Sequence, residues 1–349
     1  MYKPVKTKSS GAGFAIGFPF AVIAVTAMWA LFAVGGCDIQ VSGFNFRGVT
    51  ATTTDEGDVA ADVNSIEITH MHGDVVVKQS DQLGWSWRLK TWADTQEMAE
   101  SFCDQIKLDV QEAGQDQKWE LVFPEDMNEC NGVESILTIN VPNGVTAKIN
   151  NRHGESMVSG IDGLSITSQH GNLDLSSLTK NTIIDNRHGD IKIENFAGAE
   201  IDNAHGDIVA GKSTGSITVT TRHGDFSVSD VDGDLSVDSA HGDLVAAISG
   251  DLDAELKHGD MEIKCNGEIL NCENSHGDIS IKATNTSVKK VDIHGSHSEV
   301  DLWLPASLSP DFSTGASHGD VHNEFGSSGS GGPTVNVKTS FDDVNIHKM

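Results

Sequence analysis

The chain is short of positive charge. Its 349 residues carry 23 Lys plus Arg against 51 Asp plus Glu, a formal net charge of −28. That excludes nucleic acid as the main partner, because phosphate binding needs a basic face. Aromatic residues make up only 6%, with a single Tyr. No Trp lies between residues 120 and 302, so the middle of the chain lacks platforms for sugar stacking. There is no G-x-S-x-G elbow and no H-E-x-x-H motif, the signatures of a serine nucleophile and a zinc protease. Hydrophobic content of 38% is low, but it is not that of a disordered chain.

Long apolar runs are missing too, except one. Lys3, Lys6 and Lys8 precede an uncharged stretch from Ser9 to Cys37, apolar almost throughout from Phe14 to Val34. About 20 apolar residues span a bilayer, and a positive flank in front directs the rest outward. Val34-Gly35-Gly36-Cys37 resembles a lipobox, with Val in place of the usual Leu. Residues 1–37 are therefore expected to anchor the protein in the membrane, as an uncleaved helix or through a lipid on Cys37. The remainder would face outward in a bacterial cell envelope. Residues 38–61 read as a polar linker.

What is abundant is His and Gly, and their placement is ordered. His-Gly recurs at His72, His153, His170, His188, His205, His223, His241, His258, His276, His294 and His318. From His153 to His294 the gaps are 17, 18, 17, 18, 18, 17, 18 and 18. Asp follows at Asp74, Asp190, Asp207, Asp225, Asp243, Asp260, Asp278 and Asp320; Glu155 and Asn172 take its place early, and Ser296 late. Between corners the residues alternate, as in Leu173/Leu175, Ile191/Ile193, Ile217/Val219 and Leu235/Val237. Period-two alternation marks strands with one buried face. A second Gly sits nine or ten residues after most of these histidines, as at Gly198, Gly215, Gly233, Gly250 and Gly267. Each unit is thus a strand, a Gly corner, a second strand and an HGD corner.

The fold expected is all-β: a parallel β-solenoid with 17–18-residue coils over residues 151–295. Strands about 4.8 Å apart would make the eight coils from His153 to His294 a rod of roughly 38 Å. A meander of antiparallel hairpins is the rival. Residues 62–150 hold Trp85, Trp87, Trp92 and Trp119, strands at GWSWRLKTW and KWELVF, and a helix at TQEMAESFCDQI. They read as an N-terminal β-rich cap, needed because open sheet ends invite aggregation. Residues 296–349 form the C-terminal end, closing in a decayed coil with Phe341 where His would stand.

The HGD corner admits several readings. In the structural one, Gly takes positive φ, Asp bonds a nearby backbone N–H in an Asx-type turn, and His stacks on its copy one coil away. Asn or Ser two residues before His (Asn151, Ser168, Asn186, Asn203, Ser239, Asn274) would form an inward polar ladder. No cofactor is needed for this. In the metal reading, His188, His205, His223, His241, His258 and His276 with Asp190, Asp207, Asp225, Asp243, Asp260 and Asp278 form parallel columns of ligands. Imidazoles favour Zn, Cu or Ni and an oxygen column favours Ca. A third reading is pH sensing, since stacked neutral imidazoles repel once charged. Arg152, Arg187, Arg222 and Lys257 precede His in alternate coils only, which keeps the cations apart. The same His and Asp in every coil describe an array, not a catalytic constellation of unequal groups.

Beyond Cys37 there are four cysteines. Two readings stay open: bridges Cys265–Cys272 and Cys103–Cys130, or four buried thiols. Neither pair has C-x-x-C spacing, so redox catalysis is not indicated.

The segment LTINVPNGVTAKINNRHGE and the HGD units after it resemble the bacterial putative-adhesin family of β-strand-repeat proteins. That family is a domain of unknown function related to auto-transporter adhesin heads. The front HGDVVV unit, the TQEMAE stretch and the closing DLWLPASLS…SHGD unit fit as well, so the resemblance covers about residues 62–349. It implies the repeat fold and a non-catalytic envelope role: adhesion, scaffolding or sensing through an acidic surface, with other envelope proteins or surface ligands as partners. Family combs use S-G-D or N-G-D, so the resemblance leaves the His column unexplained.

Overall fold

The computed structural model describes residues 48–326, 329 and 331–349. The expected anchor at 1–37 and its Cys37 fall outside the described residues.

Two sheets, of fifteen and fourteen strands, face each other. Each coil gives one strand to each sheet. Thr182–His188 lies in one, the corner His188-Gly189-Asp190 crosses over, and Ile191–Phe196 lies in the other. Ala199–His205 then returns to the first sheet beside Thr182–His188. The pairing is parallel and in phase: Ile184 opposes Ile201, Asn186 opposes Asn203 and His188 opposes His205. The architecture is the parallel solenoid, not the antiparallel meander. A period of 17–18 residues returns each residue type to the same place one strand along.

The alternating apolar residues meet between the sheets. Ile184, Ile191, Ile193, Phe196 and Ile201 are each no more than 2% exposed. In four successive coils the second strand carries a left-handed residue: Ser177, Asn195, Lys212 and Asp230, with φ of 54–57°. That local twist turns Leu178, Phe196, Ser213 and Val231 back to the interior after two outward residues.

At the N-terminal end the pattern changes to antiparallel pairing. Val49–Gly57 pairs along its length with Gly84–Ala93, which pairs with Cys130–Val141. Lys107–Ala113 pairs with Asp116–Val122. Residues 49–57, expected within a polar linker, are therefore an edge strand; Val49, Thr50 and Thr52 to Thr54 are β-branched and favour extended backbone. The helix is Gln96–Gln105, capped by the Thr95 hydroxyl, which accepts the Met98 N–H at 3.3 Å. It buries Ala99, Phe102 and Cys103, while Trp87 and Trp119 close the core.

The C-terminal end departs from linear stacking. Thr334–Thr339 lies between Lys290–His297 and Asp311–Ala316. Val344–Lys348 likewise lies between Val300–Leu304 and Val321–Asn323. The coil written last, expected to end the rod, is next to last in space; the coil with His318-Gly319-Asp320 stands outside it.

Candidate functional site

The HGD corners line one edge as three columns. The first is a stack of rings. Ten histidines, His72, His153, His170, His188, His205, His223, His241, His258, His276 and His297, lie face to face. Successive centroids are 4.7–5.0 Å apart and the planes differ by 1–22°. Phe123 meets His72 edge-on at 5.3 Å. At the other end Phe341 lies between His297 at 4.4 Å and His318 at 5.1 Å. The structure thus bears out Phe341 in the His position.

One member expected from the comb is absent from the stack. His294 pairs with Glu273 and faces outward, with Nε2 2.8 Å from the Asp292 carboxylate. His297 takes its place, opposite His276. A turn at residues 284–289 lengthens this coil, so Val291 and Ile293 face inward and the ring position falls three residues later.

The second column is glycine. At Gly206 φ is 124°, and a Cβ there would meet the Gly189 carbonyl oxygen at 2.2 Å. Gly189, Gly224, Gly242, Gly259 and Gly277 repeat both conditions. No side chain fits, so the close coil approach that stacks the rings depends on Gly.

The third column is carboxylate, and its bonding differs from the expected Asx-type turn. Each Asp reaches not its own turn but the next coil. Asp190 Oδ1 accepts the Asp207 N–H at 3.0 Å, and Asp207 Oδ1 accepts that of Asp225 at 2.9 Å. The series continues through Asp243, Asp260 and Asp278. Asn172 Oδ1 serves Asp190, and Asp74 Oδ1 serves Glu155. These bonds occupy one oxygen of each Asp. A similar ladder on the opposite edge, not foreseen from the sequence, runs through Ser216, Asp234, Asp251 and Glu268.

Behind the corner lies the inward polar ladder. Asn151, Ser168, Asn186, Asn203, Ser239 and Asn274 are buried as expected, joined by Thr221. Asn186 Nδ2 donates to the Gly189 carbonyl at 2.8 Å, Asn203 to Gly206 at 2.8 Å and Asn274 to Gly277 at 3.0 Å. The amides therefore pin the corners from inside. His70, beside Asn151 in register, heads this column and is fully buried. Its Nδ1 lies 3.2 Å from the Gly73 carbonyl and its Nε2 2.9 Å from Ser135 Oγ, which also accepts from Trp87 Nε1 at 2.7 Å. Two donors converge on Ser135 if Nε2 carries a proton, so the network suits neutral His70. Its alternation with Ile66 and Ile68 is the signal that places it inward.

Burial disfavours charge here. It takes the His70 pKa down to about 4. Loss of hydration, and then neighbouring rings, also hold His72, His153, His205 and His241 below the ordinary imidazole value. Asp74 is held above the usual carboxylate range by burial, opposed by the Glu155 N–H.

Among the described residues no three His, Cys, Asp or Glu side chains gather as a metal site. Two imidazoles on one ion at Zn–N distances can be at most about 4.2 Å apart at nitrogen. Among the six histidines of the metal reading, successive ring centroids lie 4.7–4.9 Å apart, so a shared ion would need the rings to turn out of the stack. His188, His205, His223, His241, His258 and His276 thus stand in one column and their Asp partners in another, without converging. Cys103, Cys130, Cys265 and Cys272 are free thiols, so neither expected bridge is formed. Cys103 Sγ lies 3.2 Å from Thr91 Oγ1, Cys130 donates to the Gly132 carbonyl, and burial pushes the Cys265 pKa up to about 11.

The outer face of the sheet holding the His-ending strands is acidic in register. Asp185 opposes Asp202, Asp238 opposes Glu255, and Glu255 opposes Glu273, with Thr220 between the two groups. All five are exposed, and none has an ion-pair partner among the described residues.

Among solved structures the chain is similar to a putative cell adhesion protein from Clostridium sporogenes, at 10% identity over 86% of this chain and 100% of that one, TM-score 0.20. It is similar to a putative adhesin from Bacteroides fragilis, at 16% identity over 66% and 97%, TM-score 0.33. A putative lipid binding protein from Parabacteroides distasonis matches at 15% identity over 85% and 97%, TM-score 0.32. No curated protein matches the chain. The two-sheet stack of HGD coils agrees with the family match: residues 63–347 fit the Toastrack DUF4097 model, and the chain belongs to that family.

Proposed function

We propose that the protein is a non-catalytic module of the bacterial cell envelope that presents a repetitive acidic surface to cationic partners. The observation that carries this reading is the outward column Asp185, Asp202, Asp238, Glu255 and Glu273. Like charges directly opposite one another cost stability, so a fold indifferent to this face would gain by losing them. Spaced along adjoining strands, they offer many weak contacts that add through multivalency. Residues 1–37 would anchor the module with its repeats outside the cytoplasm. Repeated carboxylates without a distinct neighbour suit adhesion or scaffolding better than acid–base chemistry.

The test uses cells carrying the full chain. Attachment to cationic and to neutral surfaces is compared with cells carrying Asp185→Asn, Asp202→Asn, Asp238→Asn, Glu255→Gln and Glu273→Gln together. Wild-type cells should hold the cationic surface better, and more weakly as salt rises. Equal attachment by both strains, at equal surface protein, overturns the reading.

A further inference from the structure

The inward polar column binds more than its own side chains account for. Its rungs Asn151, Ser168, Asn186, Asn203, Thr221 and Ser239 stand in register, one coil apart. An Asn rung uses its amide twice. Asn186 Nδ2 donates to the Gly189 carbonyl of its own corner at 2.8 Å and to Asn203 Oδ1 on the next rung at 3.1 Å. One N–H pins the corner and the other links the rungs. This gives the pair a direction. Asn186 turns its amide nitrogen toward the following coil and its amide oxygen toward the preceding one.

The preceding rung is Ser168, and the chain of bonds stops there. Ser168 and Asn186 are each 1% exposed. Ser168 Oγ and Asn186 Oδ1 are buried, and neither meets a partner among the described residues. The Gly171 carbonyl, at the corner that Ser168 faces, also receives no donor from them. A hydroxyl and two carbonyl oxygens are thus left together. Buried polar groups are almost always paired, by protein or by ordered water. Serine is shorter than asparagine by about the size of one water molecule, and strand spacing of about 4.8 Å keeps the rungs on both sides from closing in. What the three groups need is two donors and one acceptor on a single small centre, which is the inventory of water.

We infer that a buried water molecule is bound at Ser168 in place of the amide nitrogen. It donates one hydrogen to the Gly171 carbonyl and the other to Asn186 Oδ1, and it accepts from the Ser168 hydroxyl. These are the two bonds of Asn186 Nδ2, set back by one coil. Thr221 and Ser239 stand in register on adjoining coils, and their hydroxyls are likewise buried and unpaired, so hydration extends to that pair. Leu256 is next in the column and needs no water, because Asn274 Nδ2 on the following coil donates to the Gly259 carbonyl at 2.8 Å.

The experiment uses the full chain with Ser168→Asn and, separately, Ser168→Ala. In Ser168→Asn the amide takes the place of the water. Magnetic relaxation dispersion of the water nuclei, which counts long-lived internal waters, should then find one fewer than in wild type. Release of that water should raise the folding equilibrium constant, measured by urea unfolding, about fivefold. Ser168→Ala distinguishes a hydrated rung from a dry one. Removing a hydroxyl that has no partner relieves an unpaired polar group and raises stability. Removing one that donates to a bound water takes a partner from that water, so the folding equilibrium constant should fall about fivefold.

A Ser168→Ala chain as stable as wild type, or more stable, overturns the proposal. A folded Ser168→Asn chain that keeps the wild-type count of internal waters overturns it equally. So does a Ser168→Asn chain that cannot fold, because a rung without room for the amide has none for the water.

Discussion

The His70 network makes stability depend on pH with a magnitude that can be worked out. His70 is completely buried, with one ring nitrogen against the Gly73 carbonyl and the other against Ser135, which is already an acceptor for Trp87. Burial lowers its pKa from 6.5 to about 4. An unfolded chain takes up the proton below pH 6.5, whereas the native chain resists until about pH 4. The contribution is therefore complete above pH 6.5 and is lost as pH falls toward 4. Between pH 7.5 and 4.5 the loss is about 2–3 kcal/mol. His72, His153, His205 and His241 act with the same sign; Asp74, Glu155 and Glu299, raised by burial, act with the opposite sign. His70→Asn separates the term from these, because they are common to both proteins. Asn is the natural choice, being the next residue in this column at Asn151. The assay is urea unfolding at both pH values. The wild type should lose about 2–3 kcal/mol more than the variant on acidification. Equal losses in the two proteins refute the argument.

The other predictions concern the corner. Gly206→Ala forces a Cβ onto the Gly189 carbonyl at positive φ and should cost about 3 kcal/mol or more, read as a fall in the denaturation midpoint. Asp207→Ala should cost about 1–2 kcal/mol because the Asp225 N–H loses its acceptor; Asp207→Asn, which keeps one, should cost clearly less in the same measurement. Because a shared ion would require the rings to leave the stack, calorimetric titration with zinc, copper, nickel or calcium should give the same isotherm for wild type as for His188, His205, His223 and His241 all changed to Asn; a tight site lost in the variant would contradict this expectation. Cys103, Cys130, Cys265 and Cys272 should all alkylate in denaturant without reductant, by mass.

Most of the fold was written in the spacing. Gaps of 17 and 18 residues, with alternating apolar side chains, leave little besides a solenoid, and the corners and inward polar positions followed from the same register. What escaped has physical reasons. Spacing identifies a coil but not its rank in the stack, so the insertion of residues 334–348 before the coil of His318 could not be read from it. His294 carries the tripeptide spacing, yet the turn at 284–289 resets the alternation, and burial of Val291 and Ile293 outweighs the motif. The Asp ladder escaped because an N–H one coil away has no distinct signature from one in the same turn. Val49–Gly57 was hidden in a run of polar residues whose β-branching carried the signal.

The ring column also bears on why imidazole stands at this corner. Two charged rings 4.9 Å apart repel by about 0.8 kcal/mol even in water. Each interior ring has two such neighbours. Charging alternate rings places the charges nearly 10 Å apart, about a Debye length at moderate salt, where repulsion is small. Neighbouring charge thus adds to lost hydration in holding His72, His153, His205 and His241 below the ordinary imidazole value. The structure consequently favours neutral, stacked rings beside a line of carboxylates. If His72, His153, His205 and His241 titrated at the ordinary imidazole value, the rings would not sense each other, and the stack would be a feature of shape alone.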